Sequence, residues 1–156
     1  MTKHIINQTH KLLIKNKKTL AIAESCTGGL TSNLFTQIPG SSSYFILGIV
    51  AYSNKVKINI LKIPLHLILK KGAVSHEVAE KMAQSVRKLA KTDFGIGITG
   101  IAGPSGETLQ KPVGTVFIAI DSKTKKLCEK FNFKGSRNKI RKQAALKALE
   151  LLKLFL

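Results

Sequence analysis

The sequence holds no tryptophan, two tyrosines, two cysteines, four prolines and only eight acidic residues. Each shortage excludes something. Without tryptophan, and with only Tyr44 and Tyr52 as tyrosines, a platform for stacking bases has little to build on. Cys26 and Cys128 have no partners at metal-ligand spacing, and two lone thiols fit a reducing cytoplasm better than a disulfide scaffold. The histidines are His4, His10, His66 and His76, and no two stand four residues apart, the spacing that would put both on one helical face. No metal site is expected. No apolar run reaches the roughly 18–20 residues of a membrane span, so no membrane partner is expected. The N-terminal stretch lacks the apolar core of a secretory signal. Its first 23 residues carry no acid, as in a transit peptide. Ile5, Ile6, Thr9, Leu12 and Leu13 nevertheless fall on one helical face, which favours a helix that covers a sheet.

The shortage of acid leaves 26 lysines and arginines and a formal charge of +18. Such a balance invites a nucleic-acid partner. Lysine is spread through nearly every segment, however, together with abundant isoleucine and asparagine. That distribution fits a compositional drift better than a dedicated patch, and it would equally assist a small anionic substrate. No helix-turn-helix signature, zinc-finger spacing or RNP aromatic set is present, so a nucleic-acid partner is not expected.

What is present is ample apolar material, 44 % of the 156 residues, enough for one core and one domain over residues 1–156. Residues 3–16 read as a helix and "TLAIAES" (19–25) as a short buried strand. "GGLTSNLFTQI" (28–38) reads as a helix broken by "PGSSS" (39–43). "SYFILGIVAYS" (43–53) contains a turn and a strand ending near Tyr52, and "NKVKINIL" (54–61) fits a short helix. Pro64 starts another helical turn. Ser75 is a plausible N-cap for a helix to Lys91, with Ala79, Met82, Ala83, Val86, Leu89 and Ala90 inward. "DFGIGITG" (93–100) reads as a glycine-rich central strand and residues 101–114 as a loop. "TVFIAI" and "LCEKFNF" read as two strands, and a helix runs from Arg137 onward. Early alternation of helix and strand with a late hairpin predicts an α/β fold, a three-layer α/β/α sandwich on a mixed, mostly parallel sheet.

"AESCTGG" (23–29) is the densest stretch chemically. Ser25 or Cys26 has the chemistry of a nucleophile. The N–H groups of Thr27, Gly28 and Gly29 have that of an anion cradle at a helix N-terminus. Ser25 or Thr27 also suits a plain helix cap. The stretch matches neither the P-loop pattern nor G-x-S-x-G. Ligands of parallel-type sheets gather at the carboxyl ends of strands. Those ends are Glu24–Ser25, Tyr52–Ser53 and Thr99–Gly100, all polar or glycine-rich after apolar runs.

"AESCTGG", "PGSSSYF…YSNKVK", "GAVSHEVAEKMA", "GITGIAGPSG" and "KPVGTVFIA" occur in this order over residues 4–152. Together they resemble the CinA C-terminal domain family, the nicotinamide mononucleotide (NMN) deamidases, in its stand-alone form. The resemblance implies hydrolysis of the NMN carboxamide to nicotinate mononucleotide and ammonia. It implies a small-molecule nucleotide substrate and no metal or organic cofactor. A homo-oligomer is expected. Ser25 matches the family's nucleophile and Lys57 its active-site lysine, with Lys55 next in line as base. Tyr52 is expected beside them, hydrogen-bonded to Ser25 or Lys57. The resemblance favours Ser25 over Cys26. Thr27, Gly28, Gly29 and Arg137 are expected to take the phosphate. Thr99, Gly100 and nearby backbone suit an oxyanion or the ribose, and Glu24 suits Lys57 or the ribose. The sequence departs from the family at Glu107, at Ile46–Leu47 and at Ser136, which puts a substrate-side loop and a subunit contact in doubt. The competing readings are a nucleic-acid-associated protein and an amide hydrolase of other specificity.

Overall fold

Leu20–Glu24 contains no exposed residue, and it forms β1, which is paired on both edges. The computed structural model describes residues 2–156. Helix α1 (Thr2–Lys15) precedes β1. There follow α2 (Leu30–Thr36), β2 (Phe45–Val50), α3 (Asn54–Asn59), α4 (Leu65–Lys71) and α5 (His76–Ala90). Strands β3 (Phe94–Gly100), β4 (Thr115–Asp121) and β5 (Lys126–Asn132) and helix α6 (Arg137–Lys153) complete the chain. The sheet order is β2-β1-β3-β4-β5. β1 is parallel to β2 and to β3, whereas the β3–β4 and β4–β5 pairs are antiparallel. The sheet is therefore mixed, and β4 alone runs against the rest.

Helices cover both faces. Ile6 and Leu13 of α1, Phe35 of α2 and Ile140 and Leu152 of α6 pack with Ile22, Ile96 and Ile118 on one side. Val78, Met82 and Val86 of α5 pack with Ala21, Ala23, Leu61 and Ile63 on the other. One detail differs from the sequence reading. Leu89 points outward and is 54 % exposed, because α5 ends one residue later and only its earlier turns lie on the sheet. β2 is an edge strand, half-buried on one side and exposed on the other.

The close approach of α5 to β3 explains the glycines of that strand. A Cβ on Gly97 would stand 2.2 Å from the Ala79 carbonyl oxygen and 2.6 Å from the Ala83 nitrogen. Helix backbone has no rotamer to change, so the whole helix would have to lift. Gly97→Ala is expected to cost on the order of 3 kcal/mol through overpacking. A urea titration should show a lower midpoint at unchanged slope. An unchanged midpoint would mean that α5 shifts freely. The same packing fixes the height of the β1 and β3 carboxyl ends, where the candidate site lies.

Candidate active site

β1 ends at Glu24, and its ladder continues one step into the next residue. The Ser25 N–H donates to the Ile98 carbonyl at 2.9 Å, and the Ala51 N–H donates to the Glu24 carbonyl at 2.7 Å. Ser25 and Ala51 are thus held to neighbouring strands. The chain then reverses after Tyr52. Ser53 caps α3 by accepting from the Val56 N–H at 3.2 Å. That short helix turns Lys57 back over the strand ends it has just left.

Lys57 Nζ stands 3.0 Å from Ser25 Oγ. It also donates to the carbonyls of Ala51 at 2.9 Å and Tyr52 at 3.4 Å. The side chain is nearly sealed, with 2 % of its surface exposed. Among the described residues no carboxylate forms an ion pair with it within 4.0 Å. Desolvation accordingly holds its pKa below the usual lysine value, because burial penalises the ammonium. A neutral amine here keeps two N–H donors for the two carbonyls and presents its lone pair to the Ser25 hydroxyl.

The pair lies on the floor of a cleft of about 290 Å³. Tyr52, Thr99, Gly100 and Arg137 line it, together with Cys26 and the loop from Ile101 to Gly106. Arg137 donates to the Gly103 carbonyl at 2.5 Å and, through Nη2, to the Tyr52 hydroxyl at 2.8 Å. The Tyr52 hydroxyl therefore meets Arg137 at the rim, and only its carbonyl meets Lys57. The N–H groups of Cys26, Ala102 and Gly103 donate to no oxygen of the described residues. Cys26 itself is buried, and desolvation pushes its thiol up to about 12. A thiolate is disfavoured there. Lys55, which could have replaced Lys57, is exposed.

A family model for the CinA C-terminal domain matches residues 2–156. The chain belongs to that family. It is 49 % identical over 146 residues to a CinA-like protein of Thermotoga maritima, covering 94 % of this chain and 36 % of the relative. A CinA-like protein of Desulfotalea psychrophila is 48 % identical over 144 residues, covering 92 % and 35 %. The chain thus spans about a third of the length of the curated relatives it matches. A CinA superfamily protein of Escherichia coli superposes with a TM-score of 0.95 at 28 % identity, over 100 % of this chain and 91 % of that one. The competence/damage inducible protein CihA of Agrobacterium tumefaciens gives 0.95 at 31 % identity, over 98 % and 94 %.

In this CinA domain the glycine turn plays a different part from the one its sequence suggests. Thr27, Gly28 and Gly29 do not line the cleft. The Gly28 N–H donates to the Ser25 carbonyl at 3.0 Å, and Gly28 adopts φ +59°, a left-handed conformation that closes the turn. Thr27 is fully buried. Free donors at the cleft include the N–H groups of Cys26, Ala102 and Gly103. Glu24 does not reach Lys57 either. Its carboxylate accepts from the Thr31 N–H at 3.0 Å, the Ser32 N–H at 2.8 Å and the Ser32 hydroxyl at 2.6 Å. A carboxylate at the start of α2 is favoured by the helix dipole, and it anchors that helix beneath the turn. Thr99 is at the cleft, with its hydroxyl donating to the Ala73 carbonyl at 2.8 Å. Gly100 leaves room, since a Cβ there would lie 2.7 Å from Val116 and 3.0 Å from Cys26 Sγ. Among the described residues no three His, Cys, Asp or Glu side chains gather to hold a metal, and no helix is long and apolar enough to cross a membrane.

Proposed function

We propose that this chain hydrolyses the carboxamide of NMN, with Ser25 as nucleophile and Lys57 as general base. The observation that carries the reading is the 3.0 Å approach of a buried, carboxylate-free lysine to a serine at the floor of a cleft. Serine is a weak nucleophile until a base takes its proton. Ser25 Oγ attacks the amide carbon as Lys57 Nζ takes the hydroxyl proton. The oxyanion that forms is met by free N–H groups at the cleft, those of Cys26, Ala102 and Gly103 among them. The C–N bond breaks as Lys57 returns its proton to the leaving nitrogen, and ammonia departs. Water then attacks the ester carbon as Lys57 takes its proton. The acyl C–O bond breaks as Lys57 returns that proton to Ser25 Oγ, freeing Ser25 and the acid product, which ionises to its carboxylate.

The phosphate is assigned to the rim. Arg137 spends two donor contacts on Gly103 and Tyr52, and its remaining N–H groups are available for an anion. The wild-type protein is expected to release ammonia from NMN and far more slowly from nicotinamide riboside, which lacks the phosphate. Arg137→Ala is expected to raise KM for NMN about tenfold or more while changing kcat less. Equal rates on nucleotide and riboside would remove the phosphate site. Ammonia from other amides but not from NMN would shift the assignment to a different amide hydrolase.

A further inference from the structure

Arg141 lies one helical turn after Arg137, on the same face of α6, and the reaction above does not use it. Its Nη2 donates to the Thr27 carbonyl at 2.8 Å. That oxygen also accepts from the Leu30 N–H at 3.2 Å, so one carbonyl receives both the first N–H of α2 and a guanidinium from α6. The turn is closed at its other end by the Gly28 N–H on the Ser25 carbonyl. Gly28 is shaped to this contact, since a Cβ there would lie 3.1 Å from Arg141 Nη2. Both backbone carbonyls that flank the Ser25–Gly28 turn are therefore fixed, one of them by a side chain from a distant helix. Lys57 approaches the same turn through Ser25 Oγ.

We infer that Arg141 is a positioning residue for Ser25. It holds the Thr27 carbonyl and so keeps the turn in the conformation that aims Ser25 Oγ at Lys57. The inference rests on Ser25 being the nucleophile, as proposed above. Arg137 and Arg141, spaced i and i+4, make the first turns of α6 a clasp. One arginine sets the loop after β3, the other the turn after β1. A displacement of a nucleophile by about 1 Å can cost about a hundredfold in rate.

The test measures Ser25 in two ways. One is ammonia release from NMN. The other is labelling by a fluorophosphonate, which needs an activated serine but no nucleotide. Arg141→Met is expected to slow labelling and kcat together by about tenfold to a hundredfold. KM for NMN should stay within about threefold, and the pH inflection of Lys57 should stay in place. Methylguanidine added to Arg141→Met should restore part of the labelling rate, which a merely structural arginine would not show. Arg141→Lys, which keeps one donor, should be intermediate, and it is the variant measured if Arg141→Met does not fold. A folded variant that labels at the wild-type rate would overturn the inference. So would a raised KM at unchanged kcat, which would make Arg141 a substrate contact. If the wild type is labelled but leaves NMN intact, the NMN reading fails, and the labelling rates of the variants still decide the role of Arg141.

Discussion

Ser25→Ala is expected to lower ammonia release from NMN by about a thousandfold or more, and Cys26→Ala to leave it within about threefold. The two side chains are adjacent and both line the cleft. A thiol near a helix N-terminus often has a depressed pKa, which makes Cys26 the natural rival to the Ser25 that the resemblance favours. The surroundings of Cys26 work the other way. Burial pushes the Cys26 thiol up to about 12, with the Glu24 carboxylate adding to the shift and Lys57 and Arg141 opposing it. Near neutral pH the neutral thiol therefore dominates. Ser25 needs no such ionisation in the proposed mechanism, where a neutral Lys57, its Nζ 3.0 Å from Ser25 Oγ, takes the hydroxyl proton. Cys26→Ala removes a small packed group beside Gly100 and is expected to affect stability more than rate. Measured kcat/KM for both variants, beside fluorophosphonate labelling of each, separates the roles. Comparable losses in the two variants, or a larger one at Cys26, would transfer the nucleophile to the thiol.

The sequence made the elements legible where periodicity and caps agree. Ser75 begins α5 as its type and position suggest, and Val78, Ala79, Met82, Ala83 and Val86 lie inward. The polar strand ends also meet at one cleft. Ser25, Tyr52, Lys57, Thr99, Gly100 and Arg137 come together because β1, β2 and β3 are parallel neighbours whose carboxyl ends share one edge. Three features escaped, each for a physical reason. Glu24, which ends a strand, reads as a site carboxylate. Its partners are the backbone of Thr31 and the backbone and hydroxyl of Ser32, a remote cap that no local pattern marks. A glycine turn before a helix usually presents its N–H groups, so Thr27–Gly29 read as an anion cradle. Here none of the three lines the cleft, and the Gly28 N–H is folded onto the Ser25 carbonyl. Arg141 went unread although its signal was present, since it repeats Arg137 at helical spacing. What sequence could not supply was its target, the carbonyl of a residue 114 positions earlier.

Lys57→Met should lower kcat/KM by about a thousandfold, comparable to the loss at Ser25, because the two act as one unit and their effects do not add. The double variant should therefore be little slower than either single one. Methionine fills a similar volume but has no lone pair basic enough to take the serine proton. Lys57→Arg is expected to fail equally, since a guanidinium stays protonated at any accessible pH. The wild-type pH profile tests the same idea without mutation. Desolvation holds the Lys57 pKa below the ordinary lysine value, while a negative charge on Cys26 would oppose the shift. Only the neutral amine can act as base. Activity should therefore fall as pH drops through that lowered pKa, by about tenfold per unit, and level off above it. The inflection should lie below about 10.4, where a solvated lysine titrates. Because burial raises the Cys26 pKa, its thiol is neutral near neutral pH and supplies no opposing charge there. A profile that is flat across the depressed range, or an inflection that survives in Lys57→Met, would assign the proton transfer to another group.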